Sequence, residues 1–191
     1  DVSLITDMSL LFKNKTTFND DIGNWNVSIV ENMASMFYSA SNFNQDLSNW
    51  DVSNVTNMQN MFLHATSFNG DITTWDVSKV ETMVNMFRNT PFNQDISGWN
   101  VSSVTNMQGL FLDTDNFNQD LSSWDVSNVS NMTHLFYVSV FNQDISSWDV
   151  SSVTYTTEMF SFATSFNSDL SSWDVSSIMG MNHMFRNAIS F

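Results

Sequence analysis

The residues best equipped for chemistry are carboxylates, and they form two evenly spaced series. Asp21, Asp46, Asp71, Asp95, Asp120, Asp144 and Asp169 each stand three residues after a Phe. Asp51, Asp76, Asp125, Asp149 and Asp174 each follow a Trp, with Asn26 and Asn100 filling that place in two further copies. Columns of Asp with nearby carbonyls and amides supply the hard oxygen ligands that Ca²⁺ takes. Against calcium, no stretch has the D-x-[DN]-x-[DN]-G loop or the Gly-rich nonapeptide of calcium-binding rolls, and the chain holds only five Gly. The competing role is structural, each carboxylate accepting a backbone N–H as an Asx-turn or cap, where Asn serves as well as Asp. Like charges stacked on adjacent strands repel, so one of these roles must offset the repulsion. No cofactor is assigned, and calcium is the alternative.

Three further residues, His134, Glu158 and His183, fall one repeat apart and suggest a metal site. If they sat on helices of neighbouring coils, about 8–10 Å apart, one ion could not gather all three. Exposed helix positions then explain them better, and His64 reads as a solvated loop residue. A Ser-His-Asp constellation needs one set distinguished from its copies. Every abundant Ser and Asp here recurs with the repeat, so none is singled out and the chain reads as non-enzymatic.

These columns exist because the chain is a tandem repeat. Seven Trp, from Trp25 to Trp173, are spaced by 24 or 25 residues, and two Phe series keep the same phase. The unit 43–67 places Val55, Met58, Met61, Phe62 and Ala65 at i, i+3, i+6, i+7 and i+10, which predicts a helix. Ser53 is its expected N-cap. Ser28 with Glu31, and Ser78 with Glu81, match the capping box. Trp50-Asp51-Val52 predicts a short strand. The expected architecture is an α/β repeat solenoid of about 7.5 coils over residues 1–191, each a short parallel strand plus a short helix. Trp, Leu/Ile and Met/Phe ladders would fill its core. The 24-residue copies lose their residue at Arg88-Asn89-Thr90-Pro91, which marks a loop.

The charge bounds the partners. Five Lys and Arg against twenty Asp and Glu give −15, which excludes a generic nucleic-acid binder and a basic membrane-docking patch. No apolar run is long enough to span a bilayer, and there is no cysteine for disulfides or thiol chemistry.

Two resemblances follow from these motifs. Leu47-x-x-Trp50-x-Val52 looks like the strand of leucine-rich repeats. The longer string, from Phe-Asn-x-Asp through Trp-Asp-Val-Ser to Met-Phe, resembles the 25-residue repeat of BspA-like surface proteins. The resemblance implies a leucine-rich-repeat-like scaffold at a cell surface, with adhesion or protein and glycan binding as its role. The expected binding face is the strand side, with Asp51, Asp76, Asp125, Asp149, Asp174, Ser48 and Ser122 as candidate contacts. The alternative is a structural segment of a filament or stalk, stacking end to end, because the chain opens inside a repeat and stops at Phe191 without capping coils.

Overall fold

The computed structural model describes residues 2–191, and the repeat is its organising feature. Backbone hydrogen bonds tie each copy to the next. Met33 N–H donates to Asn57 O at 3.0 Å, Met58 to Thr82 at 3.2 Å, Met83 to Asn106 at 3.2 Å and Met107 to Asn131 at 3.0 Å. Each copy is one coil laid on its neighbour, and one hydrophobic cluster runs from Met8 to Met184.

The strand-plus-helix unit does not form, so the α/β, leucine-rich-repeat-like class is corrected. Among the described residues there is no helix. The extended pairing is a chain of isolated parallel bridges, one residue per coil, through Asp7, Asn32, Asn57, Thr82, Asn106, Asn131, Tyr155 and Gly180. The bridge therefore lies within the expected helix, at Asn57, and not at Trp50-Asp51-Val52.

The physical reason lies in residues 58–65, where a helix was expected. An α-helix needs each N–H to reach the carbonyl four residues back. Here Met58, Asn60, Phe62 and His64 donate to Thr82, Val84, Met86 and Arg88 of the next coil, at 2.8–3.2 Å. The intervening Met61, Leu63 and Ala65 close turns onto the carbonyl three residues back, at 2.9–3.2 Å. Asn60 and His64 also have φ of 57° and 59°, a left-handed conformation that a right-handed helix excludes. Two such residues recur in every coil, for example Asn85 with Asn89 and His134 with Val138. A chain of three-residue turns puts apolar side chains inward at nearly the spacing a helix does, and that similarity produced the wrong element.

The core ladders do form. In every coil two Phe rings lie face to face, as in Phe62–Phe68 at 3.7 Å and Phe111–Phe117 at 3.9 Å. These centroids are closer than the roughly 4.5 Å at which offset pairs begin. Burial and dispersion, rather than quadrupole complementarity, hold them. The first ring of each pair stacks on its equivalents along the axis, Phe37–Phe62 at 5.4 Å and Phe62–Phe87 at 6.0 Å. Trp50 and Trp75 stack at 6.4 Å with planes 2° apart. Each buried indole N–H reaches the previous coil, as Trp75 Nε1–H does to Leu47 O at 2.9 Å. Burial of such a polar handle is tolerated only when it is bonded.

Candidate functional site

Two sides of the coil present polar side chains, and they are built differently. The first, the capped side, comprises residues 44–54 and their equivalents. Here each Asp of the two series accepts the backbone N–H two residues on: Asp46 from Ser48 at 2.8 Å, Asp120 from Ser122 at 2.8 Å, Asp76 from Ser78 at 3.0 Å and Asp174 from Ser176 at 3.0 Å. Asp51 and Asp125 also take the hydroxyl of Ser53 and Ser127, both at 2.6 Å. Asn26 and Asn100 bond Ser28 and Ser102 in the same way. The columns are therefore Asx-turns, and the Ser residues expected to cap a helix cap these turns instead. Outside this stretch, a third series does the same at Asp7, Asn32, Asn57, Asn106 and Asn131.

The electrostatics decide how the stacked charges are tolerated. Ser hydroxyls, then backbone N–H groups, hold Asp46, Asp76, Asp95, Asp125, Asp149 and Asp174 below the usual carboxylate range. For Asp120 the backbone N–H of Ser122 is the larger cause, its hydroxyl the next, while neighbouring Asp95 and Asp144 push the other way. The net displacement is downward. Hydrogen bonding to the charged form thus outweighs repulsion from the carboxylates above and below.

Beside these columns runs a ladder of amides, to which the repeat pattern alone assigns no role. Asn44 N–H donates to Asn19 Oδ1 at 2.9 Å, Asn69 to Asn44, Asn93 to Asn69, Asn118 to Asn93, Asn142 to Asn118 and Asn167 to Asn142, at 2.8–3.2 Å. The signal was present as an Asn after the Phe in all seven copies. Its meaning was not legible, because an Asn one repeat away looks like a copy and not a partner. Hydroxyls complete the tie: Thr74, Ser123, Ser147 and Ser172 donate to carbonyls of the preceding coil at 2.6–2.9 Å.

The candidate contacts Asp51, Asp76, Asp125, Asp149, Asp174 and Ser122 are exposed on this side, and Ser48 is half-buried. Each Asp commits one oxygen, Oδ1, to its own turn. The column spacing is one coil, so the carboxylates form a row along the axis.

The second side, the ladder side, comprises residues 57–65 and their equivalents. It brings His134 Nε2 and Glu158 Oε2 to 3.0 Å. The pair belongs to the column of His134, Glu158 and His183, whose places are turn residues at positive φ and not the helix positions expected. His64 is likewise half-buried, its ring edge-on to Tyr38 at 6.0 Å, rather than a lone solvated side chain. Among the described residues no group of three or more His, Cys, Asp or Glu is placed to hold a metal ion. A hollow of about 430 Å³ at the last coil is lined by apolar residues including Trp173, Met181, Met184, Phe185 and Phe191. No helix among the described residues is long and apolar enough to cross a membrane.

A family model described as "Mycoplasma protein of unknown function, DUF285" matches residues 1–92, 70–140 and 137–191. No curated protein and no solved structure matches the chain. The three matches span the whole sequence and overlap, as tandem copies must, and the chain belongs to that family. Nothing in the comparisons confirms the BspA-like kinship that the repeat resembles.

Proposed function

We propose that this DUF285 protein is a non-enzymatic recognition scaffold displayed outside the cell, where it mediates adhesion by binding a protein or glycan. One observation carries the reading: the exposed Asp columns repeat the same geometry coil after coil, each carboxylate pinned by its own Asx-turn. Catalysis needs one residue made different from its copies, whereas recognition of an extended surface gains from many equal contacts. Fixing the carboxylates in advance lowers the ordering cost of binding. Their sign favours a partner surface carrying Lys, Arg or amino groups, drawn in by a net charge of −15.

The test is capture by an immobilised panel of matrix proteins and amino-bearing glycans. The protein is compared with a variant in which Asp51, Asp76, Asp125, Asp149 and Asp174 are all changed to Asn. The amide keeps the turn bond, as Asn26 and Asn100 do, so the fold is expected to hold while capture drops at least tenfold. Capture unchanged in a folded variant would sink this face.

A second reading, a filament or stalk stacked end to end, draws on the apolar hollow beside Trp173 and Phe185. The end coil of a second copy would cover it. Mass in solution that rises with concentration, and returns to monomer when Met181 and Phe191 are changed to Ser, would favour that reading.

A further inference from the structure

The ladder side carries the side chains that do not repeat. Of five Lys and Arg, three (Lys13, Arg88 and Arg186) share the column just after the stacked Phe. All three His lie on this side as well, at His64, His134 and His183. In the first four coils, positions 9, 10, 13 and 14 and their equivalents hold no carboxylate, although the chain has twenty. Rings and cations meet there across coils. Lys13 Nζ lies 5.0 Å over the Tyr38 ring, and that ring stands nearly perpendicular to His64 with centroids 6.0 Å apart. His64 N–H is bonded to the Arg88 carbonyl at 3.0 Å, and the Asn85 amide donates to Asn60 at 3.3 Å alongside. The patch ends at Asp113, which accepts the Asn89 amide at 2.6 Å.

We infer that this patch binds a short carboxylated oligosaccharide. Lys13 and Arg88 take its carboxylates, while Tyr38, His64 and the flanking Asn amides contact the sugar rings and hydroxyls. Other anionic partners fit less well. A peptide strand cannot add to this side, because the N–H groups of Met58, Asn60, Phe62 and His64 are already given to the next coil, and main-chain bonds are what such docking uses. Nucleic acid needs a dense set of cations on phosphates, and this patch has few. A long polyanion would leave the patch and meet the field of the remaining acids. A short one ends within the patch, and acids beyond it are screened over about 8 Å at physiological salt. The inference rests on the recognition-scaffold reading but uses a different side of the coil, so the two can fail separately.

The experiment is calorimetric titration of the whole chain with tetragalacturonate, with a neutral galactose tetramer and with tetraglutamate. Tetragalacturonate is expected to bind at least tenfold more tightly than either control. Lys13→Ala and Arg88→Ala should each weaken it at least fivefold with an unchanged melting curve. The five-position Asp→Asn variant should bind it as the parent does, whatever happens to panel capture. The inference is overturned if the neutral tetramer or tetraglutamate binds equally well. It is overturned too if none binds, or if folded Arg88→Ala retains full affinity.

Discussion

The capped side and the ladder side share one core and one pitch, yet they spend their side chains differently. On the capped side almost every polar residue repeats and almost every one has a bond to make: Asp to Ser, Asn to Asn, hydroxyl to carbonyl. On the ladder side the backbone itself joins the coils, through the N–H groups of alternate residues. Its outward side chains carry less of that duty, with Asn85 on Asn60 and His134 on Glu158 still joining coils, and they vary: Leu10, Ser35, Asn60, Asn85, Gly109, His134, Glu158 and His183 occupy one column. Repetition in this molecule marks a structural task, and variation marks a position free for another use.

The broadest way to break the comparison is to attack what both sides share. Phe62 is fully buried and stacks on Phe37, Phe68 and Phe87. Phe62→Ala should cost about 3–5 kcal/mol, read by chemical denaturation. A loss below 1 kcal/mol would mean the stack is not cooperative across coils.

Acid should act next, and on the capped side. Asp46, Asp76, Asp95, Asp120, Asp125, Asp144, Asp149, Asp169 and Asp174 all sit below their ordinary pKa in the folded chain. A depressed folded pKa contributes stability that is fully present above the unfolded value, about 3.9, and is lost as pH falls through the folded value. Melting temperature should therefore hold above about pH 5 and fall steeply below about pH 4. Rising stability in that window would show that relief of the −15 self-repulsion outweighs the Asx-turns.

A single turn isolates the same effect. Asp76→Ala removes the acceptor for Ser78 N–H and should cost about 1 kcal/mol, while Asp76→Asn should be close to neutral. Equal losses for both would mean the charge matters, and not the oxygen that Asn also carries.

How far the sequence could reveal this follows from the same division. Period, phase and core ladders were legible, because Trp50, Phe62 and Phe43 are inward in any closed coil of this length. The Asx role of Asp51 was legible from Asn26 and Asn100 standing in its place. The helix was not excluded, because Val55, Met58, Met61, Phe62 and Ala65 satisfy helical spacing as well as three-residue turns. Only the left-handed residues tell the two apart, and their signal is diluted. Asn60, Asn85, Gly109 and Asn89 suit positive φ, while Leu10, Val138, Glu158 and Phe162 in the same two columns do not. The meeting of His134 with Glu158 was hidden for the same reason, since the helix error set the wrong distance between coils.

That dilution yields the smallest effect, and the one that most sharpens the contrast. Val138 has φ of 50°, where a β-branched side chain crowds its own backbone by roughly 1–2 kcal/mol. The same column holds Asn14, Asn89 and Asn187, also at positive φ, and Asn tolerates that region better than other non-Gly residues. Val138 is only half-buried, so little apolar burial is lost on replacing it. Val138→Asn should therefore stabilise the chain by about 1 kcal/mol, or about 2–4 °C in a protein of this size. A destabilised variant would mean that the ladder side selects Val138 for packing after all, and its freedom to vary would then be narrower than the column suggests.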